Sequence, residues 1–128
     1  MEKKIKYWIE ISDYDLETAE AMLNSKRYLY VGFMCHQAIE KVFKAFFVKQ
    51  KSETAPYSHS LSYLAKQGDF YNLFSEEQKS FIDLLEPLNI EARYPSHKER
   101  LLQSLSESMC MQIILKTKNL QKWIKEKL

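Results

Sequence analysis

The sequence predicts an all-α fold, an up-and-down bundle of four to five antiparallel helices, and three observations carry that expectation. Apolar residues recur at intervals of three and four along most of the chain, the pattern of amphipathic helices. Of 128 residues only 2 are Gly and 3 are Pro, where average usage would give about 15 together. Tight turns are therefore few, which argues against a sandwich or barrel with a turn signal every 8–12 residues or so. No segment shows convincing strand alternation at a period of two. With 45% hydrophobic residues and a formal net charge of +2, the chain is not disordered, and its length suits one domain over residues 1–128.

The elements follow in order. Glu2–Leu23 places Ile5, Trp8, Ile9, Leu16, Ala19, Met22 and Leu23 at helical spacing, and Asn24-Ser25-Lys26-Arg27 breaks the helix. From Tyr28 to about Lys49 the apolar positions Val31, Met34, Cys35, Ala38, Ile39, Val42, Ala45 and Phe46 form one face. Phe33, Phe43 and Phe47 widen it beyond the ~100° that one core uses, so a second neighbour or a second subunit is expected, with these three at a dimer interface. Ser52–Ser58 reads as a loop, with Ser58 capping a short helix through Leu61 and Leu64 that stops at Gly68. Ser75-Glu76-Glu77-Gln78 is a capping box opening a helix with Phe81, Ile82, Leu84 and Leu85, which Pro87 is expected to end. Ser96-His97-Lys98-Glu99 is a second box, opening a last helix that carries Leu101, Leu102, Leu105, Met109, Ile113, Leu120, Trp123 and Ile124 nearly to Leu128.

Several functional classes drop out. The charged start, Met1-Glu2-Lys3-Lys4, leads into no apolar signal core, and no stretch approaches the ~20 apolar residues of a membrane span, so a cytoplasmic location is expected and no membrane contact. Cys35 and Cys110 belong to no CxxC pair and read as reduced, buried thiols. Gly32 and Gly68, the only glycines, cannot write a GxGxxG or a P-loop. No Glu has a His three residues later, so the di-iron bundle motif is missing. His36 and Glu40, four apart, make two ligands but no site, and read better as a polar pair on an exposed or interfacial face; no metal or cofactor is expected.

The stretch Glu91-Ala92-Arg93-Tyr94-Pro95-Ser96-His97-Lys98-Glu99 carries the most chemistry. Free N–H groups at a helix start favour a phosphate, Arg93 could clamp it in bidentate fashion, and Lys98 adds charge. His97 titrates near neutrality. A base for a 2′-hydroxyl and cations for a phosphorane are what metal-free RNA cleavage needs. Pairing of Arg93 with a carboxylate, with Tyr94-Pro95 packing the loop, is the purely structural alternative. Lys116, Lys118, Lys122, Lys125 and Lys127 make the end basic, either as a nucleic-acid footprint or as cations offsetting a helix dipole.

Three blocks in this order resemble the bacterial HEPN domain (higher eukaryote and prokaryote nucleotide-binding). They are His36-Gln37-Ala38-Ile39-Glu40-Lys41-Val42-Phe43-Lys44-Ala45, His59-Ser60-Leu61-Ser62-Tyr63-Leu64, and Ala92-Arg93-Tyr94-Pro95, preceded by Trp8 and Asp15-Leu16-Glu17-Thr18-Ala19. The resemblance implies a homodimeric bundle, often paired with a minimal nucleotidyltransferase antitoxin in a toxin–antitoxin-like system, and in some members a metal-independent ribonuclease. It makes Arg93 and His97 the catalytic candidates, and Arg93, Tyr94, Lys98, Gln37, Lys41 and Lys44 the candidates for nucleotide or RNA binding. The nuclease branch separates its Arg and His by four to six residues; here only Tyr94, Pro95 and Ser96 intervene. A noncatalytic nucleotide- or RNA-binding module, or a subunit that docks a nucleotidyltransferase, is the alternative, with Tyr94 a hypothetical acceptor of a nucleotide.

Overall fold

The computed structural model describes residues 1–91 and 105–128. It is all-helical: α1 (Glu2–Asn24), α2 (Tyr28–Lys51), α3 (Leu61–Gln67), a 3-10 turn (Tyr71–Leu73), α4 (Glu76–Glu91) and α5 (Glu107–Lys125). No strand occurs among the described residues, and none of their helices is long and apolar enough to cross a membrane.

With so few glycines, the chain turns by placing other residues in the left-handed region. Lys26 (φ 62°) ends α1 while the N–H groups of Lys26 and Arg27 donate back to the Leu23 and Met22 carbonyls. Asp69 (φ 60°) ends α3 in the same way, with Asp69 and Phe70 donating to Lys66 and Ala65. Gly68 therefore does not supply the left-handed residue its position suggested; its φ is −85°. It is small for a different reason, since a Cβ there would lie 2.5 and 2.7 Å from two ring atoms of Phe70. That ring is wedged against Phe46, centroids 4.5 Å apart, and against Phe43 at 5.4 Å, so it has no room to retreat. Gly68→Ala is expected to cost about 1–3 kcal/mol by overpacking, read as a lower urea midpoint at unchanged m-value.

α2 is the hub, with α1, α3, α4 and α5 all packed on it. The breadth of its apolar face is thus consumed within one chain. Phe43 and Phe47 lie in the core, Phe43 with 0% exposure, so neither is available to a second subunit as the sequence suggested. Phe33 is half-buried. Gly32 lets α4 approach α2, since a Cβ there would meet Leu88 Cδ1 at 2.9 Å. Cys35 and Cys110 are buried and unpaired with one another, and burial pushes their thiols up to about 12 and about 11.

Three boundaries differ from expectation. Ser60, not Ser58, caps α3: its Oγ accepts from the Tyr63 N–H, while Ser58 Oγ accepts from the Ser60 N–H just before the helix. α4 opens at the Ser75 box as expected, Gln78 N–H donating to Ser75 Oγ and Ser75 N–H to Gln78 Oε1. It does not stop at Pro87 but runs to Glu91. Burial of Leu88 and Asn89 against α2 outweighs the hydrogen bond that Pro87 cannot donate. The last helix starts at Glu107, not His97, because Ser106 is extended (φ −100°, ψ 167°) and its Oγ takes the Met109 N–H. The Ser96 box lies outside the described residues.

Candidate functional site

Four consecutive helical neighbours on α2, Gln37, Glu40, Lys41 and Lys44, share one face at spacings of three and four. Hydrophilic side chains in that pattern suggest a solvated stripe. The structure instead buries Gln37, Glu40 and Lys44, along with His36, beneath α1, α4 and the loop before α3. The His36–Glu40 pair expected on an exposed or interfacial face is likewise inside.

Glu40, 1% exposed, is the centre. Its Oε1 lies 2.9 Å from His59 Nδ1, and its Oε2 lies 3.3 Å from Lys44 Nζ and 3.5 Å from Lys41 Nζ. Burial favours the neutral acid, but Lys41, the His59 hydrogen bond and Lys44 outweigh it and hold the Glu40 carboxyl below its ordinary value. Lys41 also donates to Gln37 Oε1 at 2.9 Å and sits 4.0 Å from Asp15 of α1. Burial in turn raises the Asp15 carboxyl, opposed by Lys41. Gln37 Nε2 reaches Asn89 Oδ1 at 3.5 Å, tying α2 to the last turns of α4. The Lys44 ammonium stands 5.2 Å from the centroid of Trp8 and 6.0 Å from that of Tyr57.

The half-exposed side chain of His59 (43%) closes this cluster toward solvent. Its Nδ1 is engaged by Glu40, while Nε2 has no partner among the described residues. The exposed Tyr57 ring lies 6.1 Å away, centroid to centroid. The loop that presents both runs into α3, whose first turn is held by Glu86: its Oε1 accepts the Ser62 N–H at 2.8 Å. Below, neither ring nitrogen of the buried His36 has a partner among the described residues, and desolvation lowers its pKa to about 4. A concavity of about 470 Å³ lies away from this cluster, between α4 and α5, lined by Gln78, Phe81, Lys116, Asn119 and Trp123 among others. Among the described residues no group of three or more His, Cys, Asp and Glu could hold a metal ion.

Glu40, Lys41 and Lys44 of α2, together with His59 ahead of α3, are thus one charge cluster in a helical bundle, and the HEPN domain model matches residues 5–128. The chain belongs to the HEPN family. Among solved structures, this HEPN chain is similar to TT1696 from Thermus thermophilus, with 18% identity, 98% of each chain covered and a TM-score of 0.83, which shows a shared fold. A search of curated proteins gives no match.

Of the site residues read from the HEPN chain's sequence, the structure brings Gln37, Lys41 and Lys44 together, but as internally paired groups. Lys44 has its ammonium spent on Glu40 and two aromatic faces. Arg93, Tyr94, His97 and Lys98 lie outside the described residues. The sequence reading quoted Asp15 in the family pattern without giving it a site role, and missed Tyr57, Asn89 and the partnership of Glu40 with His59. The His59 block was visible as a motif; nothing in one sequence says which carboxylate, nineteen residues earlier, it meets. The basic end of the HEPN chain is also partly neutralised, Lys118 by Glu20 at 2.9 Å and Lys125 by Asp13 at 2.5 Å.

Proposed function

We propose that this HEPN chain is the RNA-acting member of a toxin–antitoxin-like pair, a cytoplasmic homodimer whose antitoxin is a nucleotidyltransferase, and that it cleaves RNA without a metal. The observation that carries this reading is the family match along residues 5–128 in a chain whose sequence also holds Arg93 and His97. Their chemistry fits the task. Neutral His97 takes the 2′-hydroxyl proton as that oxygen attacks the adjacent phosphorus, and Arg93, always charged, offers two N–H groups to the oxygens of the phosphorane. The P–O5′ bond then breaks to leave a 2′,3′-cyclic phosphate and a 5′-oxygen that takes a proton from water. Support also comes from the scaffold ahead of them: α4 ends two residues before Arg93, and Asn89 in its last turns is docked on Gln37.

The three-residue interval between Arg93 and His97 favours a second reading, a noncatalytic module that binds nucleotide or RNA or docks the nucleotidyltransferase. Incubation of the purified chain with RNA in a chelator separates the two. Cleavage is expected, and His97→Ala is expected to slow it roughly 100-fold or more with the helical circular dichroism unchanged. Equal cleavage by the variant, or none by the starting protein, would leave the binding reading in place.

A further inference from the structure

The inward face of α5 is filled: Cys110, Ile113, Ile114, Thr117, Leu120, Gln121 and Ile124 are all buried. Its outward face is not polar throughout. Met111 and Leu115, one helical turn apart, are 56% and 58% exposed and form an apolar ridge in the middle of the helix. A recess lies on each side of that ridge, one bordered by Glu107, Ser108 and Gln112, the other by Glu20, Leu23 and Asn24 of α1. Charge along the face is graded, with Glu107 at its start and Lys118 and Lys122 toward its end.

We propose that this face of α5 is the twofold interface between two copies of the chain; the inference rests on the homodimer in the function proposed above and names the surface it uses. The occupant is a second copy because the face is complementary to itself. In an antiparallel pair of α5 helices with the twofold axis beside residue 113, Met111 stands level with the partner's Leu115, and the same contact repeats across the axis. Glu107 and Lys118 are eleven residues apart, about three turns, and so share one edge of the face. The same twofold brings Glu107 to within about 1.5 Å of the height of the partner's Lys118, twice. Lys118 and its own partner Glu20 are both half-exposed, so a second carboxylate can reach that ammonium. Each ridge fits the recesses flanking the other, as ridges enter grooves in helix packing. A parallel pair would set like charges together, Glu107 on Glu107 and Lys118 on Lys118, and is disfavoured.

Light scattering on the full chain at micromolar concentration tests this. The starting protein is expected at the dimer mass, and Met111→Glu and Leu115→Glu each to weaken association at least tenfold; both sites are exposed, so melting of the monomer should be little changed. Mixed Met111→Cys and Leu115→Cys chains are expected to form an interchain disulfide on oxidation. A monomeric starting protein overturns the proposal and the homodimer together. A dimer that survives both glutamate variants overturns this interface alone, leaving the homodimer and the RNA reading standing, and points the exposed ridge at a different protein.

Discussion

Glu40→Gln is expected to lower the unfolding free energy by about 3–5 kcal/mol, the range for removing one partner from a buried ion pair, and the melting temperature by about 10–20 °C. The amide is nearly isosteric, so packing is kept and only charge is lost. The loss falls unequally on the three groups around the carboxylate. Lys41 retains Gln37 and Asp15, and His59 reaches solvent. Lys44 does neither: its side chain is buried and, among the described residues, Glu40 is its only carboxylate partner. An ammonium stranded there must either desolvate uncompensated or pull α2 away from Trp8 and the loop bearing Tyr57. Lys44→Met in the Glu40→Gln background should therefore recover a large part of the loss, because Met keeps the contact with both rings and needs no counter-charge. If the double variant melts no higher than Glu40→Gln alone, the cost lies in packing and the account of Lys44 is wrong. Thermal unfolding followed by circular dichroism reads all three variants.

That cluster also marks where sequence reasoning loses its grip. Helix positions were legible because they depend on local chemistry: the Ser75 box forms with the reciprocal hydrogen bonds its spacing demands, and the break at Asn24–Arg27 falls where the periodicity stops. Pro87 misled because its local preference was sound but lost to contacts from elsewhere in the chain, and Ser58 because a second serine two residues on takes the cap. Leu88 and Asn89 are worth more buried on α2 than Pro87 costs inside a helix, and Ser60 is better aligned with the Tyr63 N–H than Ser58. Phe43 and Phe47 were read as surplus to one core because a single helix does not announce how many neighbours it has, and α2 has four. The polar stripe failed most fully. Lys44 at helical spacing from Glu40 looks the same whether water or Trp8 lies above it, and only the tertiary fold, bringing α1 and His59 over α2, turns a solvated face into a buried one.

Acid should expose His36. Its ring is buried, desolvation sets its pKa in the folded chain to about 4, and Glu40, the charge that would favour the imidazolium, is already occupied by His59, Lys41 and Lys44. In the unfolded chain His36 titrates near 6.5. Above that pH it is neutral in both states and contributes no pH dependence. Between about 6.5 and about 4 the unfolded chain binds a proton that the folded chain refuses, so stability falls with pH, by about 3 kcal/mol across the window. Below about 4 the His36 contribution is constant. Glu40, whose carboxyl is held low, adds a separate loss that begins as the pH falls below its ordinary value of 4.5 and is complete only below its depressed one. His36→Leu separates the two. The ring nitrogens have no partners to forfeit among the described residues, so the variant should match the starting protein near pH 7.5 within about 1–2 kcal/mol, the usual cost of an apolar swap of similar volume. It should then hold its stability as the pH falls to 5, where the starting protein has lost about 2 kcal/mol to His36. Urea unfolding at pH 7.5, 6 and 5 measures the difference directly, with the other titrating groups common to both chains. Parallel pH profiles for the two proteins would mean that the buried imidazole takes its proton in the folded state after all, with Glu40 as the counter-ion.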